Sequence, residues 1–309
     1  MKNILSYYYE LYPNEISHIK DKYFFEYKNL KYVFEKFNRP LSDAKCLYNI
    51  NKLMVKKGIL VHEIILNNQS NILTYVNNEP FILMEININE NAKINLAEIC
   101  HINNNSVDIT CDKLLDRYDW ANLWEAKNDY FEAQINEIGK KYPNLCNYAN
   151  YYIGLAENAI FYVKSAIMIN EPMFYCICHK RIDYDESLYF LYHPMNFIRD
   201  YRIRDVCEYI KSAFFKDKDA YILVEEFFNH NYLSYKEALF FYGRLLYPSY
   251  FFDLYDDIVN NNLNENLIEN IIVKSKEYEM FLFHVNNYLE KLFNRYFPKI
   301  DWITKRSFF

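Results

Sequence analysis

Ile16-Ser-His-Ile-Lys-Asp-Lys-Tyr-Phe-Phe-Glu-Tyr-Lys-Asn-Leu-Lys-Tyr-Val-Phe-Glu-Lys-Phe37 holds three short runs of aromatic and β-branched residues: Ile16–Lys20, Tyr23–Tyr27 and Leu30–Phe37. Asp21-Lys22 and Lys28-Asn29 lie between them as two-residue connections, so the stretch predicts a three-stranded antiparallel meander. Pro40 then breaks the chain. Ser42 stands where a cap is expected for a helix running to Lys57 and closed by Gly58. On that helix Ala44, Leu47, Ile50 or Asn51, and Met54 fall at helical spacing. Three more strand-like runs follow, Ile59–Leu66, Ile72–Val76 and Phe81–Ile86, divided by Asn67-Asn68 and Asn77-Asn78 turns. The expectation is a five-stranded antiparallel sheet with the Leu41–Lys57 helix against one face.

From Asn87 onward the apolar spacing turns helical, in Ala92–Asn103, Asp112–Lys141, Tyr148–Ile169, Arg204–Phe215, Ser234–Leu246 and Asn264–Phe297. Met173–His179 and Leu188–Tyr192 interrupt this as two predicted strands flanking the polar loop Lys180–Ser187. The fold class is therefore α+β: an N-terminal β-rich lobe over 1–86 and a helical lobe over 87–309, with Ile86–Asn91 as the expected hinge. This is the element order of the two-lobed protein-kinase-like fold, in which nucleotide binds between lobes. Order alone is an analogy about fold and leaves chemistry open.

Composition removes many rivals. Four glycines in 309 residues, Gly58, Gly139, Gly154 and Gly243, stand isolated, so Walker loops, dinucleotide fingerprints and nucleophile elbows have no place in their standard form. A net charge of −6 gives no basic field for nucleic acid or anionic membrane. The 32 tyrosines and 24 phenylalanines accompany abundant asparagine and scarce glycine, a pattern of AT-rich coding rather than a binding surface. Seven cysteines without a framework spacing point to a reducing compartment and away from a disulfide scaffold. Cys176-x-Cys178-His179 lacks the second pair that a zinc site needs. The Met1–Leu11 apolar patch is too short and interrupted for a signal peptide, and no run is long enough for a membrane span. Trp120 and Trp124 lie one helical turn apart and read as a packing stripe rather than a sugar platform.

Several segments carry a resemblance. Tyr151-Tyr-Ile-Gly-Leu-Ala-Glu-Asn-Ala-Ile-Phe-Tyr162, Ile177-Cys-His-Lys-Arg181, Asn196-Phe-Ile-Arg-Asp-Tyr-Arg-Ile-Arg-Asp-Val-Cys-Glu-Tyr-Ile-Lys211 and Gly243-Arg-Leu-Leu-Tyr-Pro248 resemble the spore-coat-associated kinase-like family, in particular its YutH branch next to CotS. The resemblance covers nearly the whole chain and implies an aminoglycoside-phosphotransferase-like kinase fold from an endospore-forming bacterium. Other spore coat proteins are the partners it implies, and the mother-cell cytoplasm or the coat the location. It says nothing of oligomeric state.

Phosphoryl transfer needs a lysine on the phosphates, a carboxylate near the nucleophile and metal ligands. Tyr32-Val-Phe-Glu35 resembles the family's Tyr-Val-Leu-Lys and puts Glu35 where the lysine belongs, while strand alternation sends Lys36 to the other face. Matching Cys178-His179-Lys180-Arg181 to His-Gly-Asp places Arg181 at the catalytic aspartate and Glu186 at the metal-binding asparagine. A further metal aspartate is expected at the end of the Leu188–Tyr192 strand, where His193-Pro194 stands. Arginine neither accepts a proton nor binds Mg²⁺. His179 and Asp205 read as structural braces of the loop and the following helix. The expectation is a pseudokinase with no cofactor. The alternative is an atypical phosphotransferase of ATP and Mg²⁺ acting on a small hydroxylated metabolite, with Asp183, Asp185 and Asp200 as rescue acids. A nucleotide-sensing adaptor would use the backbone of Met84, Glu85 and Ile86 near the hinge.

Overall fold

The computed structural model describes residues 1–87, 92–110, 113–138 and 141–306. In chain order its elements are α1 (Lys2–Tyr9), β1 (Ser17–Ile19), β2 (Lys22–Tyr27), β3 (Leu30–Lys36), α2 (Asp43–Lys56), β4 (Glu63–Ile65), β5 (Thr74–Val76), β6 (Glu79–Ile86) and α3 (Leu96–Asn105). There follow α4 (Trp120–Ile138), α5 (Pro143–Ile167), β7 (Tyr175–His179), α6 (Leu188–Leu191), β8 (Phe197–Tyr201), α7 (Arg204–Phe215) and α8 (Ala220–His230). The chain closes with α9 (Tyr235–Leu246), α10 (Ser249–Asn261), α11 (Glu269–Ile272), α12 (Ser275–Phe293) and α13 (Asp301–Arg306). Two compact units result: Met1–Arg117 with Tyr175–Arg202, and Tyr118–Phe174 with Ile203–Phe309.

The first unit is built on an antiparallel sheet of six strands rather than the expected five, ordered β1-β2-β3-β6-β4, with β5 also paired to β6. The meander forms, with Tyr27 opposite Leu30; Lys22, expected in the connection, instead begins β2 and lies opposite Glu35. Lys28 and Asn29 both adopt positive φ, 52° and 64°, which is what a two-residue hairpin turn of the strand-compatible hand requires. Asn77 and Asn78 do the same between β5 and β6. One sheet face gathers Phe25, Tyr32, Phe34, Phe81 and Leu83 around Leu5, so the N-terminal apolar patch is a short helix whose Leu5 is fully buried. The α2 helix buries Ala44, Leu47, Ile50 and Met54. Its Asn51 donates to the His62 carbonyl and accepts from the Ile64 amide, which pins α2 to β4. Ser42 makes no side-chain cap; the Pro40 and Leu41 carbonyls take the first amides instead. Gly58, at φ 78°, closes the helix in the left-handed region.

Two expectations need correction here. Leu188–Tyr192 is not a strand: Leu188–Leu191 is a single helical turn, and the partner of β7 is Phe197–Tyr201, pairing Cys176 with Asp200 and His179 with Phe197. An apolar aromatic run too short to show a period reads equally well as strand or helical turn. Among the described residues five cysteines are free and Cys46 on α2 is disulfide-bonded, so an irregular spacing does not mean that disulfides are absent. The expected hinge Ile86–Asn91 lies mostly outside the described residues, as do Cys111 and Gly139.

The second unit is helical and centres on α5, which packs against α4 and α9. Its Ala156, Ala159 and Val163 are buried, and α9 approaches so closely that a Cβ at Gly243 would lie 3.1 Å from Val163 Cγ2. The segment expected as one helix over Asn264–Phe297 is divided into a short turn, α11 and α12, and α8 and α10 add helices that the spacing did not predict. Trp120 and Trp124 are buried and stacked at 5.1 Å, with the Arg244 guanidinium 5.0 and 5.5 Å from their ring centres.

Candidate functional site

The first unit contains a cavity of about 550 Å³ lined by the β1–β2 turn, the end of β3 and the segment from Lys180 to Asn196. Glu35 projects into it from β3 and is only 4% exposed. Directly opposite on β2, on the same sheet face, Lys22 reaches its Oε2 at 2.7 Å. His193 supplies a second partner, with Nε2 at 3.2 Å from Glu35 Oε1. The His193 Nδ1 accepts from the Met195 amide at 3.3 Å, which leaves Nε2 to carry the proton toward the carboxylate. Burial alone would push the Glu35 carboxyl up, but His193 and Lys22 outweigh it and hold the pKa at about 2.

Behind this pair stands a second buried histidine. His62 donates from Nε2 to the Tyr189 carbonyl at 2.9 Å, and its Nδ1 has no hydrogen-bond partner among the described residues. Burial, reinforced by nearby His193, drives its pKa down to about 3, so the ring stays neutral. Tyr189 ties the group together, 4.6 Å from the His62 ring, 5.2 Å from the His193 ring and 5.4 Å from the Lys22 ammonium.

The expected catalytic loop is anchored within the same unit. Leu188 donates to the Ala92 carbonyl and Ile94 to that of Glu186, so the loop runs beside Ala92–Ile94. His179 is buried and bonds the Leu191 carbonyl through Nε2 at 2.6 Å. Arg181 is exposed and donates to the Lys180 carbonyl at 3.0 Å. The rescue acids lie apart in character: Asp183 accepts from the Asp185 amide, Asp185 pairs with Lys93 at 3.0 Å, and Asp200 is fully buried in β8. With the strand relocated to Phe197–Tyr201, the strand-end acid is Asp200 rather than a gap at His193-Pro194. Its Oδ1 accepts from the Tyr201 amide at 2.7 Å. No three His, Cys, Asp or Glu side chains converge as a metal-ligand group among the described residues. Met84, Glu85 and Ile86 lie inside β6: β3 pairs with all three and β4 with Met84 and Glu85. Asp205, in the second unit, is buried in the first turn of α7.

From the sequence, Lys22 was read only as part of the Lys20-Asp21-Lys22 turn expected over the phosphates and His193 only as a substitution at a metal position; their pairing with Glu35, and the roles of His62 and Tyr189, were not read. Lys22 was within reach, because counting back from the Lys28-Asn29 turn puts it opposite Glu35. His193 meets Glu35 across 158 positions of chain, and no local pattern announces that contact.

The architecture is that of the aminoglycoside-phosphotransferase-like kinases. An aminoglycoside phosphotransferase from Alicyclobacillus acidocaldarius superimposes with a TM-score of 0.64 at 12% identity, over 94% of this chain and 96% of that one. The spectinomycin phosphotransferase APH(9)-Ia, solved with ADP and spectinomycin, gives 0.57 at 13% identity over 87% and 91%. The chain belongs to the family described as "Spore coat putative kinase YutH", whose pattern matches residues 2–285. The endospore coat-associated protein YutH of Bacillus subtilis is 24% identical over 212 residues, a match spanning 61% of this chain and 62% of that relative.

Proposed function

We propose that this chain is a pseudokinase that serves spore coat assembly as a structural or interaction protein. The observation that carries the reading is the state of Glu35. At the position where the family resemblance expects the phosphate-binding lysine, a buried carboxylate is ion-paired to Lys22, with His193 Nε2 3.2 Å from its other oxygen. The resemblance puts Arg181 at the position of the catalytic aspartate, and Asp183, Asp185 and Asp200 are each engaged in contacts of the fold. This donor set does not fit Mg·ATP in the manner of an active phosphotransferase, where acidic ligands gather the ion. Membership in a spore coat family supplies the context, and other coat proteins are the partners the reading names.

The test has two arms. In an endospore-forming host, deletion of the gene should alter coat composition or spore resistance, and a copy carrying Arg181→Ala with Asp183→Asn should restore both if transfer chemistry is not used. Purified protein, given Mg·ATP and a panel of hydroxylated amines, should release no ADP above background. ADP formed in proportion to an added acceptor, and lost on Asp183→Asn, would overturn the reading in favour of an atypical phosphotransferase.

A further inference from the structure

The first unit holds a further pocket, of about 420 Å³, between the end of α1, the start of α2 and the 66–73 segment that joins β4 to β5. It shares no lining residue with the cavity beside Glu35. Its frame is tied down by the fold itself. Asn67, 5% exposed, accepts the Gln69 and Asn71 amides on Oδ1 at 3.1 and 2.9 Å and donates from Nδ2 to Thr74 Oγ1 at 3.1 Å. Thr74 is buried and meets Tyr9 Oη at 2.9 Å. Asn68 caps α1, donating from its amide to the Tyr8 carbonyl and from Nδ2 to that of Tyr7, each at 2.7 Å. What this frame presents outward has one chemistry. Gln69 and Asn71 are exposed and meet each other only at 3.5 Å, the limit of a hydrogen bond, so both amides keep donors and acceptors to offer. Tyr8 and Tyr75 bring aromatic surface, and Tyr75 is 55% exposed. Lys45, exposed in the first turn of α2, is the one charged side chain of the lining among the described residues.

We infer that this pocket binds a short acidic saccharide, a hexuronate unit or pair, with Gln69 and Asn71 on its hydroxyls, Tyr75 against its ring and Lys45 on its carboxylate. An amide both donates and accepts, as a sugar hydroxyl does, so two neighbouring amides match two neighbouring hydroxyls. A tyrosine offers a flat apolar face to the C–H side of a pyranose and a polar tip at its edge. A single ammonium with no carboxylate beside it in the lining suits one negative charge, which it meets at charge-assisted strength. Other ligand classes fit less well. An apolar molecule would bury the amides without partners, and a polyphosphate would find only one cation. The volume is that of a small-molecule site, and a frame already held by Asn67 and Asn68 spares the ligand the cost of ordering the loop. This inference is independent of the non-catalytic reading: ADP release would sink that reading and leave this pocket untouched, whereas the binding data below decide this one.

The full chain would be titrated calorimetrically with two matched pairs of probes, digalacturonic acid beside galactobiose and cellobiouronic acid beside cellobiose. Expected is binding of at least one acidic probe, about three- to tenfold tighter than its neutral counterpart. Lys45→Ala should erase that preference and leave the neutral probe unchanged. Tyr75→Ala should weaken both members of the pair about tenfold, with Tyr75→Phe restoring most of the loss, and Gln69→Ala should weaken both about threefold. Lys45, Gln69 and Tyr75 are all exposed, so these variants keep the fold and the test stays decisive. No binding of any of the four probes at millimolar concentration would overturn the inference. So would neutral probes bound as tightly as acidic ones, or affinity indifferent to Lys45, Gln69 and Tyr75. Tighter, Tyr75-dependent binding of hexaglutamate would overturn it as well and make the pocket one for acidic protein segments.

Discussion

Replacing Glu35 by glutamine keeps the shape of the side chain and removes its charge, leaving Lys22 and His193 facing a neutral amide. The carboxyl has a pKa of about 2 in the folded protein, because His193 and Lys22 overcome the upward push of burial. Relative to an ordinary glutamate near 4.5, that difference amounts to about 3 kcal/mol of stability at about 1.4 kcal/mol per pH unit. The sign follows from the lowered value. The unfolded chain binds the proton more readily, so the stabilisation is fully present above pH ~4.5 and is lost as pH falls from there toward ~2. Partial exposure of Lys22 trims the figure, so a loss of roughly 2–3 kcal/mol is expected for Glu35→Gln at pH 7, shrinking steadily below pH 4.5. Tryptophan fluorescence is blind to this, since Trp120, Trp124 and Trp302 all belong to the second unit. Hydrogen exchange of the β2 and β3 amides, read by mass spectrometry at pH 7 and at pH 3, reports the local opening free energy directly. A variant whose β2–β3 amides are as protected as wild type at pH 7 would refute the reasoning. So would a deficit of equal size at pH 3.

In the second unit, Lys211 is buried and bonded to Glu208 at 2.6 Å, to the carbonyls of Arg244 and Tyr247 and to Ser249; Lys211→Met should lose ~3–5 kcal/mol in urea unfolding followed by tryptophan emission. An unchanged midpoint would show that Arg244 alone satisfies Glu208. Gly243→Val should cost ~1–3 kcal/mol by the same assay, because the α5–α9 approach leaves 3.1 Å for a new Cβ, whereas Gly154→Ala, with nothing within 4 Å, should be neutral or stabilising. Lys93→Ala should change stability by less than ~0.5 kcal/mol, as its pair with Asp185 is exposed; a larger loss, seen by thermal melting, would give that loop a structural role it lacks here.

The sheet was legible because its strands alternate and its turns are short: each pair of turn residues fixed the register of the strands beside it. The Asn196–Lys211 and Gly243–Pro248 segments that carried the family resemblance prove in part to be packing devices. Glu208 joins Lys211 to Arg244, and Gly243 admits α5. The polar strand Phe197–Tyr201 was passed over for the more apolar Leu188–Tyr192, since burial of Asp200 in a hairpin depends on partners that sequence does not display. Likewise Glu35 was visible as a substitution, but its neutralisation by Lys22 and His193 required the fold to bring residues 22, 35 and 193 together.

Scarcity of glycine has a consequence at the β1–β2 turn. Lys20 sits there with φ 54°, a left-handed conformation that a lysine adopts at a cost of about 1 kcal/mol and a glycine adopts freely. The same residue lines the cavity beside Glu35. Durability of the sheet and charge at its mouth therefore pull in opposite directions at one position. A screen for thermostable variants would be expected to exchange Lys20 for glycine, removing one positive charge from the cavity beside Glu35.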